Sequence, residues 1–206
     1  MWLSQFDLNG VYMSGSTQRS ESSYRTMMAT ILDNCVTLGL NTIIIQIRPN
    51  GDSMYPSEYY TMSKYVVGAY GRNATYDPFK IVIDLAHERN LSVQAWINPL
   101  RLMSSSDIAK VSSTYKVAEW YQSSTYNGKY VVLYNNYYYL NPAYEEVRQL
   151  IIDGAVEICN LYDVDGVHMD DYFYPTTASS FDSAAYNSYT GSLSLANWRR
   201  QNLNLL

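Results

Sequence analysis

Apolar residues recur along the chain in two alternating rhythms. From Ser23 to Leu38, the residues Met27, Met28, Ile31, Leu32, Cys35 and Leu38 fall at helical spacing, and Gly39 supplies a stop signal. The next segment, Asn41 to Arg48 (NTIIIQIR), is β-branched and almost continuously apolar, as expected of a strand buried on both faces of a parallel sheet. The same succession then repeats. Asp77-Pro78 is an N-cap followed by a proline suited to the first helical position, Ile81, Val82, Leu85 and Ala86 make the apolar face, and Asn90 ends the helix. Leu91 to Ile97 is the strand that follows. Asn141-Pro142 repeats the cap signal, and Glu145 and Glu146 suit a first helical turn. Val147, Leu150, Ile151, Ala155, Ile158 and Cys159 then carry the apolar period toward a strand at Gly166 to Asp170.

With Trp2-Leu3-Ser4 as a first strand, the order is βαβαβαβ, and Leu195 to Leu206 reads as a fourth helix. Repeated βα units with right-handed crossovers specify an α/β fold with a parallel sheet, either doubly wound or wrapped as a barrel. No GxGxxG or Walker pattern opens any of the helices, which lowers the nucleotide-binding option. Two stretches break the rhythm. Residues 49–76 are polar, contain Gly and Tyr, and are expected as a loop. Residues 99–140 form a long excursion in which 129–134, Asn135-Asn136 and 137–140 read as a hairpin.

Side chains alternate faces along a strand, and parity sorts the polar ones. Ile44, Gln46 and Arg48 share one face of the second strand, Gln94, Trp96 and Asn98 one face of the third, and Gly166, His168 and Asp170 one face of the fourth. Polarity thus accumulates toward the C-terminal strand ends, where barrel enzymes carry their active sites. Gln46, Arg48, Asn98, His168 and Asp170 are expected to converge there, with Asp171 pointing across the wall. A satisfied core residue is the competing role for His168. His87 is expected to pack or cap, and Asp52 and Glu58 to be solvated loop acids. His168, Asp170 and Asp171 make a poor metal chelate, because adjacent strand residues face opposite ways.

Composition narrows the partners. The 206 residues carry a net charge of -5, with 14 Lys and Arg and no basic cluster, so no footprint for nucleic acid or an anionic membrane is present. No apolar run of about 18 residues marks a membrane span, and Met1 to Gln5 lack the charged and apolar regions of a signal peptide. Cys35 and Cys159 lie in helical patterns and are expected as buried free thiols. The chain has 22 Tyr against 4 Phe. Tyrosine joins an apolar face to a hydroxyl, which suits sugar recognition and equally suits half-exposed packing.

Three strings, LGLNTIIIQIRPNGDSMYPSEYY, YDPFKIVIDLAHERNLSVQAWINPLR and YDVDGVHMDDYFYP, resemble the bacterial glycosyl-hydrolase-like family 10, which is related to the α-amylase superfamily. The resemblance runs over nearly the whole chain. It implies a TIM-type (β/α) barrel acting on O-glycosidic bonds, outside the cytoplasm or in the cell envelope, on cell-wall or other polysaccharide and without a cofactor. Residues 1–206 would then hold about the first four βα units of the barrel, with further strands carrying the remaining catalytic groups. By the same resemblance Asp170 matches the amylase-type nucleophile at the end of strand four. His168 stands where that motif has arginine, Asn98 resembles the asparagine ending strand three, and Arg48 and Arg101 match arginines of the family pattern. Asp171, Gln46, Trp96 and Tyr172 are carried as supporting or sugar-contacting residues. A half-barrel would also leave an unpaired sheet edge through which copies of the chain could associate.

Overall fold

A computed structural model describes residues 1–206. Strand β1 (Trp2–Leu3) is followed by helix α1 (Gln5–Tyr12), and helix α2 (Glu21–Thr37) leads into β2 (Thr42–Arg48). Helix α3 (Pro78–His87) precedes β3 (Ser92–Ile97), α4 (Glu145–Leu161) precedes β4 (Gly166–Met169), and α5 (Leu195–Leu203) comes last. Local chemistry explains these boundaries. Asp77 accepts hydrogen bonds from the Phe79 and Lys80 amides, both at 3.1 Å, and Pro78 gives up no donor at the first helical position. Asn90, at φ 55°, turns the chain out of α3 and into β3. At this same entry end of β3, Asp165 accepts from the Val93 amide at 2.7 Å and faces His87 Nε2 at 3.1 Å. His87 therefore pairs with an acid at the end of α3.

All four strands are parallel and lie in chain order, β1-β2-β3-β4, each hydrogen-bonded to the next. The order does not reverse, as it would in a doubly wound sheet. Ile43, Ile45 and Ile47 of β2 and Val93, Ala95 and Ile97 of β3 are fully buried in one core with Met28, Leu32 and Cys35 of α2, Phe79, Val82 and Ala86 of α3, and Ile158 of α4. The helices thus cover one face of the sheet. Its other face presents half-buried Ile44, Gln94, Trp96 and His168, and a Trp2 side chain that stays about half exposed at 51%. Met169, at the outer strand β4, is also exposed. No helix is long and apolar enough to cross a membrane.

The excursion is a folded unit. Val131–Tyr134 and Tyr137–Leu140 form the expected hairpin, with Asn135 (φ 47°) and Asn136 (φ 65°) as its two-residue turn. Arg101–Ser104 adds a third antiparallel strand beside Tyr137–Leu140. Helices Ser105–Ile108 and Lys116–Gln122 complete it, and a second apolar cluster joins Leu102, Ile108, Trp120 and Leu140 to Val147, Leu150 and Ile151 of α4.

Several expectations change. Residues 49–76 are packed: Asp52–Ser53 and Thr61–Met62 pair as short parallel strands, and Asp52 is fully buried, accepting from the Asn50 amide at 2.9 Å and the Tyr70 hydroxyl at 3.0 Å. Burial pushes its carboxyl up, and these bonds and Ser63 oppose the shift. Glu58 is exposed, as expected of a loop acid. Helix α4 starts after Tyr144, while Asn141 closes its own turn onto the Ala143 amide at 3.2 Å. Cys159 is exposed, because it falls on the side of α4 turned from both clusters. Helix α1 was unforeseen, although Ser4 and Asp7 form a reciprocal capping box at its start.

At Gly154 helix α4 packs directly against the Arg48 and Tyr60 side chains. A methyl group there would overlap the Arg48 guanidinium and the Tyr60 ring. In an exposed helix interior Gly→Ala gains about 1 kcal/mol. Here Gly154→Ala is expected to cost about 1–3 kcal/mol through overpacking, read as a lowered denaturant midpoint; an unchanged or raised midpoint would contradict this packing.

Candidate active site

The C-terminal ends of the strands are joined by one line of hydrogen bonds. The Gln5 amide, just past β1, donates to Gln46 Oε1 on β2 at 3.0 Å. Gln46 Nε2 donates to Asn98 Oδ1, at the end of β3, at 2.6 Å. Asn98 Nδ2 donates to Asp171 Oδ2, past β4, at 3.2 Å. The line has a direction imposed from both ends: a main-chain N–H can only donate and a carboxylate can only accept, so both amides are fixed in one orientation. Gln46 and Asn98 are buried, at 6% and 2% exposure, and are mutually satisfied there. Arg101, from the first strand of the excursion, brings Nη1 to 3.5 Å from the same Asp171 oxygen, and its guanidinium lies 5.7 Å from the Tyr137 ring centre.

Asp171 reaches this line against the parity expectation. The β4 ladder continues through the Asp170 amide, which donates to the Ile97 carbonyl at 3.1 Å. The next residue, Asp171, then adopts φ 52°, a left-handed turn that swings its carboxylate back toward Asn98 and Arg101. Asp170 is left exposed, its carboxylate carrying no hydrogen bond or ion pair from the protein. The two adjacent acids therefore differ: one is engaged, the other open to solvent.

Arg48 also departs from parity. The β2–β3 register slips between Gln46, opposite Trp96, and Arg48, opposite Ile97. This bulge turns Arg48 to the helix-covered face. There its side chain is buried, with the guanidinium 4.5 Å from the Tyr60 ring centre and against Gly154 of α4. Nearby, Glu157 accepts from Tyr55, Ser57 and the Glu58 amide, at 3.0, 2.6 and 2.7 Å. Only the Arg48 carbonyl stays at the strand ends, accepting from the Asn98 amide at 2.9 Å.

His168 and Trp96 lie below the polar line on the open face. Trp2 meets both edge-on, at 4.7 Å from the His168 ring and 5.2 Å from Trp96. Tyr172 is committed elsewhere: its hydroxyl donates to the Leu203 carbonyl of α5, and burial pushes its phenol up. Tyr174 likewise lies against Phe181 and under the Arg199 guanidinium, which is paired with buried Asp182 at 2.6 Å. Both tyrosines thus fasten the segment after β4.

Beside the polar line, a cavity of about 210 Å³ is lined by Gln5, Asn50, Lys64, Arg101, Asp107 and Tyr137, among others. Asp107 bridges Lys64 at 2.7 Å and Lys110 at 2.9 Å. Burial alone would raise its carboxyl, yet the two ammonium groups hold it below the usual range. Gln5 offered no sequence signal, since it acts through its main chain. The engagement of Asp171 was hidden by a single dihedral angle.

Comparison with known proteins follows this geometry. The model of the family described as "Glycosyl hydrolase-like 10" matches residues 1–206. Glycosyl hydrolase YngK of Bacillus subtilis (strain 168) is 38% identical over 183 residues, covering 85% of this chain and 34% of YngK. Glycosyl hydrolase DigH of Escherichia coli (strain K12) is 31% identical over 200 residues, covering 95% of this chain and 45% of DigH. The chain thus spans less than half the length of these relatives. Among solved structures, the maltogenic alpha-amylase AmyB from Thermotoga neapolitana superposes with a TM-score of 0.49 at 14% identity, over 84% of this chain and 40% of that one.

The polar line makes a direct prediction. Asn98→Ala leaves Gln46 without its acceptor and Asp171 with Arg101 alone, at an expected cost of about 1–3 kcal/mol. Exchange of the Asp170 amide, which donates to the Ile97 carbonyl, should accelerate in the variant; unchanged exchange there would mean that the line does not hold the end of β4.

Proposed function

The chain belongs to the glycosyl hydrolase-like 10 family, and from that premise we propose that it forms part of a (β/α) barrel that hydrolyses O-glycosidic bonds of a polysaccharide, with Asp170 as nucleophile. The observation that carries this reading is the contrast at the end of β4. Asp171 is neutralised by Arg101 and held by Asn98, while Asp170 stands free beside them. A nucleophile needs an ionised oxygen that no protein group occupies, held on a backbone that does not drift.

In this mechanism an Asp170 oxygen forms a bond to the anomeric carbon as the bond to the leaving oxygen breaks. A second carboxylic acid, about 5–5.5 Å away, protonates that oxygen and then activates the water that releases the sugar. The second acid would come from the cleft that further strands complete. Gln46, Asn98, Arg101 and Asp171 position the nucleophile, Arg101 also facing the adjoining cavity. His168 and Trp96, on the open face, contact the sugar. Arg48 supports the sheet from behind, and Tyr172 fixes the exit from β4.

The helix-free face of the sheet, the unreversed strand order and the exposed outer side of β4 all fit one arc of such a barrel. That outer side would pair with a following strand or with a second copy of the chain. The substrate is a neutral or cell-wall glycan met in the cell envelope or outside the cell, and the chemistry requires no cofactor. A second reading, a saccharide-binding module without turnover, draws on the same geometry, since one free carboxylate cannot perform the reaction alone.

The test is reducing-end release from a panel of bacterial and plant polysaccharides. This chain is compared with a version extended to the length of its relatives. In the active form, Asp170→Asn is expected to lower turnover by about 10³-fold or more with binding retained, and Asp171→Asn by less. Turnover that survives Asp170→Asn sinks the nucleophile assignment. Binding without release in every form favours the second reading.

A further inference from the structure

A cavity of about 540 Å³ lies away from the strand ends, between the excursion and the first turns of α4. Its apolar wall is aromatic: Tyr59, Trp120, Tyr126 and Tyr130. Tyr130 is locked from three sides, at 5.2 Å from Trp120, 4.7 Å from Tyr126 and 4.7 Å from Tyr144. The wall is therefore built before any ligand arrives, and binding orders little further.

The polar rim is acidic. Glu145, Glu146 and Asp153 line it, while the one basic side chain, Lys116, is already paired with Glu119 at 2.9 Å. Three carboxylates are thus left without a cationic partner from the lining. Glu145 and Glu146 are exposed, and Asp153 accepts from Gln149 at 2.7 Å and keeps its second oxygen for another donor. Burial and the neighbouring Glu146 push the Tyr130 phenol up to about 12, so it remains a neutral donor.

Flat aromatic faces beside uncompensated carboxylates attract a ligand with an apolar face and a positive charge. We propose that this cavity binds a saccharide unit bearing a free amine, its ring face against Tyr126 and Tyr130 and its ammonium among Glu145, Glu146 and Asp153. The choice of a saccharide as the body of the ligand rests on the glycosidase reading. The preference for a cation rests on the cavity alone. A neutral sugar can offer the three carboxylates hydroxyl donors but no positive charge, and the same holds for an N-acetylated amine.

Isothermal titration calorimetry on this chain tests the proposal with the glucosamine trimer, its N-acetylated counterpart, cellotriose and spermidine. The glucosamine trimer should bind at least about tenfold more tightly than the other three. Glu146→Gln combined with Asp153→Asn should weaken it by about tenfold or more. Both positions lie at the rim, and a thermal melt of the variant checks that it is folded. Asp170→Asn should leave this binding unchanged, since the strand ends are a separate place. Equal binding of the N-acetylated trimer or of spermidine, insensitivity to the rim substitutions, or no binding at all overturns the proposal. Because no turnover is measured, failure of the glycosidase reading would show in the polysaccharide assay and not here.

Discussion

The alternation of side chains along β2 and β3 governs the rest of the structure. Ile43, Ile45, Ile47, Val93, Ala95 and Ile97 are driven into the core with α2, α3 and α4, and a fully buried aliphatic side chain of this kind is stabilised by about 1.5–3 kcal/mol. A slip of one residue would expose all of them, so the register is pinned. Once that face is committed, Gln46, Trp96 and Asn98 have nowhere to go but the other one. The polar line then adds precision, because the buried Gln46 and Asn98 amides are each bonded within it.

Much of this was legible beforehand. Helical spacing and caps located α2 and α3 to within a residue or two, and the run NTIIIQIR marked β2. The hairpin was written in Asn135-Asn136, where both residues take positive φ. Gln46 and Asn98 were placed by counting alone. What counting cannot reach is a local break in the count. The bulge before Arg48 and the left-handed turn at Asp171 each reverse the parity of one residue; aspartate tolerates such a turn, but residue type alone dictates neither break. Residues 49–76 were misread for another reason. Their burial comes from tertiary pairing of two-residue strands, which are too short to leave a periodic pattern.

Helix α4 connects the two halves of the molecule. Ile158 near its C-terminal end belongs to the core of the parallel sheet, whereas Val147, Leu150 and Ile151 nearer its start belong to the excursion's own cluster. Its first turn forms one wall of the aromatic cavity, and Gly154 in its middle lets it approach Arg48. A shift of this helix would therefore be felt at both places. The arrangement makes the excursion a structural partner of the sheet, joined to it through one shared element.

The backbone at Asp171 separates two neighbours that are chemically the same. Asp170 and Asp171 differ by one peptide unit and one sign of φ, and that suffices to make one an anchor and the other a free anion. Left-handed backbone is tolerated by glycine, asparagine and aspartate and by few other residues. Of these three, only aspartate also brings a negative charge to Arg101. The position therefore makes two demands at once, one of shape and one of charge. Few side chains meet both, while the exposed position beside it is free of either demand.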